Sequence, residues 1–175
     1  MKRLFVLGLT AAGCAALAAA ALAGPSFDKA EGSATMPKEP CCQARQFSFS
    51  AADHGFSDRA TGQYVQNWGG TFVGDITCLR VDGNRAIFAG ITKQVPPNSP
   101  LSGREGEPFI VSVVDNGPPG SDPPDEASPL FVFGGGSGPP VPHGFPNVCP
   151  DLPAWPAEEP IASGDIVVTD ESAGG

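Results

Sequence analysis

Hydrophobic and polar positions alternate over Gln46-Phe47-Ser48-Phe49-Ser50-Ala51, placing Phe47, Phe49 and Ala51 on one face of an extended chain. A period of two marks a strand with one buried face. Gln63 to Trp68 predicts another short strand, separated from the first by a turn region at Asp53-His54-Gly55 and interrupted by Gly69-Gly70. The strongest pattern runs from Thr71 to Thr92. Phe72–Val81 and Arg85–Thr92 are rich in β-branched and aromatic residues, with Asp82-Gly83-Asn84 between them. That turn predicts a tight antiparallel hairpin, because Gly83 accepts a positive φ without a Cβ clash. Pro96 to Pro108 reads as a loop, and the mostly apolar Phe109–Val114 as a strand central in its sheet. Leu130–Phe133 predicts a short strand ended by Gly134-Gly135-Gly136, and Ile166–Thr169, after Ser163-Gly164-Asp165, a closing one. No amphipathic helix of useful length and no internal repeat follows residue 23. The expected fold class is all-β, an antiparallel β-sandwich or a small barrel.

The chain outside these strands divides by composition. Lys2 and Arg3 precede an uncharged, mostly Leu/Ala run from Leu4 to Leu22, and Ala21-Leu22-Ala23 carries the small residues a signal peptidase needs. Residues 1–23 therefore read as a secretory signal peptide, with the mature chain beginning near Gly24. An uncleaved anchor is one alternative. Lipidation at Cys14 is another, although Ala11-Ala12-Gly13 is a poor lipoprotein box. Residues 24–40 are small, polar and proline-punctuated, and are expected to form a flexible leader. Residues 41–170 are expected to form a single domain, with a Pro/Gly-rich loop excursion over 134–160 and a tail at 171–175. Proline cannot donate to a sheet ladder, so that excursion is expected on the surface.

Charge and cysteine content sharpen this picture. The chain carries 10 Lys and Arg against 19 Asp and Glu, and cleavage of the signal removes two of the basic residues. Such an acidic domain repels phosphate backbones and anionic lipid surfaces, so nucleic acid is not an expected partner. No second apolar stretch approaches spanning length, so the mature domain is not expected to insert into a membrane. The expected location is extracytoplasmic, secreted or in the cell envelope. Cys41, Cys42, Cys78 and Cys149 remain after cleavage, and an even number in an exported chain reads as two disulfides. Joining adjacent Cys41 and Cys42 would strain the peptide between them. The expected pairings are therefore 41–78 with 42–149, or 41–149 with 42–78. Metal–thiolate chemistry is not expected, because no C-x-x-C pair exists.

The run Asp75-Ile76-Thr77-Cys78-Leu79-Arg80-Val81-Asp82-Gly83-Asn84-Arg85-Ala86 resembles the central hairpin of a family of exported bacterial all-β domains with no assigned activity. Val113-Val114-Asp115-Asn116-Gly117, Pro123-Pro124-Asp125 and Ser163-Gly164-Asp165-Ile166-Val167-Val168 are similar to the same family's pattern, in the same order. The resemblance covers Gln46 to Asp170. It implies the fold and export, and carries over no catalytic or binding residue. The proline-rich insert before Cys149 is longer than the family pattern implies.

Candidate chemistry is sparse. Gly135-Gly136-Ser137-Gly138 lacks the closing glycine of a nucleophile elbow, because Pro139 stands there. His54 and His143 both precede glycine in turn-like sequence and have no evident Ser/Asp partners. Asp115, Asn116, Asp122, Asp125 and Glu126 gather oxygen ligands after a strand, a set that hard cations such as Ca²⁺ favour. The spacing does not match an EF-hand, and the same residue types build turns for local reasons. Asp115, Asp122, Asp125 and Glu126 are thus weak Ca²⁺ candidates, and no other cofactor is expected. Tyr64, Trp68, Phe72 and Trp155 are candidates for an aromatic glycan platform, with core packing or loop anchoring the favoured account. The leading expectation is a non-catalytic exported β-domain with a structural or binding role, its partner unspecified. The alternatives are a small secreted hydrolase with a scattered site, and a calcium-dependent glycan-binding or adhesion module.

Overall fold

The computed structural model describes residues 27–38, 44–53, 60–134, 145, 149 and 158–171. Among these, ten strands form one antiparallel sheet: β1 (Lys29–Thr35), β2 (Gln46–Ala52), β3 (Thr61–Asn67), β4 (Thr71–Asp82), β5 (Arg85–Gln94), β6 (Pro108–Val114), β7 (Glu126–Ala127), β8 (Phe131–Val132), β9 (Glu159–Pro160) and β10 (Ser163–Thr169). The spatial order is β10-β1-β2-β3-β4-β5-β6-β7-β9, with β8 pairing beside β7 on the same edge of β6. The sheet curls strongly into a half-barrel, and no helix occurs among the described residues, so the expected all-β class holds.

Period-two alternation decides which residues fill the interior. Phe47, Phe49, Tyr64, Phe72, Phe88 and Phe109 all point inward and are buried. Phe49 stacks on Phe88 with centroids 4.8 Å apart, and Phe72 meets Phe109 edge-on at 5.7 Å. A Cβ on Gly74 would lie 2.3 Å from the Phe109 ring, so the missing side chain in β4 makes room for that aromatic. Each such ring stabilises the fold by about 1.5–3 kcal/mol relative to exposure, making this interior the largest single source of stability.

The β4–β5 hairpin turns at Gly83, whose φ is +60°, as the Asp-Gly-Asn signal predicts. Its ladder is irregular between Ile76 and Cys78, where Thr77 is the extra residue. A bulge inverts the facing of everything beyond it. Ile76 therefore points inward, whereas Cys78 points to the outer face and Leu79 returns to the interior cluster. Cys78 joins Ile87, Ala89, Ile110, Phe133 and Cys149 in a second buried cluster, against which Phe131 and Phe145 pack. Strands β5 and β6 are consequently covered on both faces, which explains their near-continuous apolar runs.

Two expectations need correction. Residues 24–40 were expected to be a flexible leader, but Lys29–Thr35 is a full strand between β10 and β2. Its inward positions are Ala30, Gly32 and Ala34, too small to give a hydrophobic alternation, and the Phe49 ring covers Gly32. The disulfide pairing also differs. Cys78 bonds Cys149, with Cα atoms 5.4 Å apart, which excludes both expected cross-pairings. The Thr77 bulge is the physical reason, because it turns Cys78 toward the outer face where Cys149 lies. Cys41 and Cys42 fall outside the described residues. Within the 134–160 excursion, Glu159–Pro160 forms an exposed edge strand, a position that tolerates a proline.

Candidate functional site

The acidic loop after β6 is a candidate for chemistry, and its Asp115 and Asp125 side chains are engaged by the backbone. Asp115 accepts from Gly117 N at 2.9 Å through Oδ1 and from Val168 N at 3.0 Å through Oδ2. The buried Asp125 accepts from Asn116 N through Oδ1 and from Ile166 N through Oδ2, both at 2.8 Å. Ile166 and Val168 lie two apart on β10, so their N–H groups leave the same edge, the one not paired with β1. The two carboxylates thus receive the free edge of the last strand, drawing it onto the loop that follows β6. A hydrogen bond to an ionised acceptor contributes about 1.5–3 kcal/mol, so the pair constitutes a substantial closure.

The hairpin tip is tied into the same seam. Asp115 N donates to Asn84 O and Asn84 Nδ2 donates to Asp115 O, both at 2.8 Å. Gly83 N donates to Asp170 Oδ2 at 2.8 Å, just beyond β10. Asn116 Nδ2 donates to Pro124 O, bracing the loop across its base, and Asp122-Pro123 within it is a cis peptide. Residues of the 75–86, 113–117, 123–125 and 163–168 segments therefore converge on one hydrogen-bonded seam.

Asp122 is exposed and Glu126 is half-buried in β7, so the four calcium candidates do not converge on one point. Among the described residues no group of three or more His, Cys, Asp or Glu side chains is arranged to hold a metal. A second feature beside the seam is a groove of about 420 Å³ lined by Pro118, Ser121, Pro124, Ile161 and Gly164, with Asp125 at its floor. His54, His143, Ser137 and Trp155 lie outside the described residues.

The aromatic candidates separate. Tyr64 and Phe72 belong to the interior. The Tyr64 hydroxyl donates to the buried Gln66 Oε1, and burial pushes its pKa well above the ordinary tyrosine value, with the nearby Arg45 charge acting weakly the other way. Trp68 instead sits half-buried at the rim, in the β3–β4 turn, stacked on Phe72 at 6.2 Å. Gly69 holds φ +91° there, Trp68 N donates to Gly70 O, and Gly70 abuts Pro96. The indole lines an open groove of about 420 Å³ together with Lys38, Ala44, Gln46, Asn67 and Gly69. Thr71 Oγ1 donates to Asn67 Oδ1 at 2.9 Å, which fixes that carboxamide. Sequence reasoning singled out Trp68 but missed Lys38, Gln46 and Asn67, since no spacing rule joins three separate strand ends.

The fold and these sites define an all-β domain of one curled sheet with a carboxylate-closed seam and an aromatic rim groove. Comparison with models of protein families, with curated proteins and with solved structures finds no match. No helix among the described residues is long and apolar enough to cross a membrane.

Proposed function

We propose that this chain is an exported β-domain that acts by binding or by structural support outside the cytoplasm, without catalysis of its own, and that it belongs with the exported bacterial all-β domains its hairpin resembles. The observation that carries this reading is the seam. Two of the four acidic candidates, Asp115 and Asp125, are held by backbone N–H groups. A carboxylate that accepts from backbone amides in this way is committed to closing the fold. The Cys78–Cys149 disulfide supports export, because such bonds persist in oxidising compartments.

Expression in the native host with collection of the culture medium and envelope fractions tests the reading. Intact mass should give a chain beginning near Gly24 with Cys78 and Cys149 oxidised. That material should show no turnover of ester, peptide or glycoside substrates. A reduced, cytoplasmic chain that retains residues 1–23 would refute export. Turnover lost in a His54→Ala, His143→Ala double variant would refute the non-catalytic assignment and favour the hydrolase.

A further inference from the structure

The Trp68 groove has the composition and the rigidity of a small-molecule site that nothing in the seam or the interior requires. Its described walls combine one indole with two carboxamide residues, Gln46 and Asn67, and one lysine, Lys38. Its volume of about 420 Å³ is within the range of ligand clefts, roughly 300–1,000 Å³, and it is open to solvent, which suits a chain molecule lying across it.

Three restraints hold the groove in shape before any ligand arrives. The indole packs on Phe72 and the core, so its conformational freedom is already lost. Gly70 against Pro96 anchors the turn that carries it. Thr71 occupies Asn67 Oδ1, leaving the Nδ2 group as the end that donates to a ligand. Preorganisation of this kind lowers the ordering cost of binding. An aromatic ring beside fixed hydrogen-bond donors matches a molecule with one apolar face and a rim of hydroxyl acceptors. A pyranose ring has that character, its axial C–H groups forming the apolar face.

We propose that the groove formed by Trp68, Asn67, Gln46 and Lys38 binds an oligosaccharide, with a sugar ring against the indole and its hydroxyls received by the carboxamides and the ammonium. The proposal rests on the binding reading above and gives that reading a ligand class. It needs neither calcium nor the acidic loop.

The test uses the mature, oxidised chain in a Trp155→Phe background, which leaves Trp68 as the sole indole of the 2 in the sequence. Cellohexaose and hexagalacturonic acid are titrated to millimolar concentration while indole emission is followed, with EDTA present. A saturable emission change with at least one of them is expected. Asn67→Ala, at an exposed position that leaves the core intact, should weaken it about fivefold, the size of one lost hydrogen bond. Trp68→Ala, followed by calorimetry, should weaken it at least tenfold, with thermal unfolding recorded to separate loss of binding from loss of fold. Thr71→Val, which frees the Asn67 amide without removing it, should give an intermediate loss. No saturable change with either sugar would overturn the proposal, as would binding that Asn67→Ala and Thr71→Val both leave untouched. Binding elsewhere on the chain would keep the general binding reading while removing this groove from it, and hydrolysis of either sugar would refute the non-catalytic reading alone.

Discussion

The outer face of this sheet has two halves of opposite character. Over β1–β3 it presents Lys29, Ser33, Ser48, Ser50, Gln63 and Asn67 to solvent. Over β4–β6 it presents Cys78, Ile87, Ala89 and Ile110, buried beneath Phe131, Phe133, Phe145 and Cys149. The inner face is predominantly apolar, with Gln66 paired to the Tyr64 hydroxyl, so both halves share one core and differ chiefly in what lies behind it. A one-sided strand needs only alternation, whereas a two-sided strand must recruit a second layer and keep it in place. Here the disulfide keeps it in place. The covered half is therefore expected to depend on a covalent bond, and the open half on the interior alone.

Breaking the covalent bond should have the largest effect. Cys78→Ala with Cys149→Ala removes a closure across 71 residues, worth about 4 kcal/mol in the chain-entropy account of disulfides. Urea denaturation should show the loss, and hydrogen exchange should quicken in β5 and β6 well before it does in β2. Equal quickening in both halves would show that the covering layer is not a separate unit.

Opening the seam comes next. Asp125→Ala leaves Asn116 N and Ile166 N without their acceptor, at an expected cost of about 3 kcal/mol. Amide exchange at Ile166 and Val168 should lose protection first, because β10 keeps only β1 as a ladder partner. Calcium at millimolar concentration should not restore the stability of this variant if the carboxylate acts as a backbone acceptor.

Within the shared interior, Tyr64→Phe leaves the buried Gln66 carbonyl without its hydroxyl donor and should cost about 1–2 kcal/mol. Tyr64 is the single tyrosine, so its titration is readable by absorbance. Its folded pKa stands above the unfolded value of 10.0 because burial disfavours the phenolate. The folded state therefore binds more protons above pH 10, so this contribution is complete below that pH and is lost as pH rises. The initial loss should approach about 1.4 kcal/mol per pH unit, and Tyr64→Phe should abolish that slope.

The smallest effect belongs to the open half. Ser48→Ala, on the exposed face of β2, should change stability by no more than about 0.5 kcal/mol. Ile87→Ala, on the covered face of β5, should cost about 2–5 kcal/mol by the same measurement. Near-equal values at the two positions would erase the distinction between the halves.

Much of this architecture is local and therefore readable in the chain. The Phe47/Phe49/Ala51 alternation fixes which face of β2 is inside, because side chains two apart must share a face. Asp82-Gly83-Asn84 fixes the hairpin, because a tight turn needs a residue free of the Cβ restriction. The apolar run of β6 announces coverage on both faces. Strand β1 was hidden because alanine and glycine give no amplitude to a periodic pattern, and its identity as a strand comes from neighbours on both sides. The disulfide partner of Cys78 was hidden for a different reason. One extra residue at Thr77 inverts the face of every side chain after it, and a bulge is decided by the register of the partner strand. The acidic loop is the clearest division of all. Its composition marked Asp115 and Asp125 as turn residues or cation ligands, both local readings. Only the curl of the sheet, which brings β10 back beside the end of β6, makes Asp115 an acceptor for Val168 and Asp125 an acceptor for Ile166, 53 and 41 residues further along the chain.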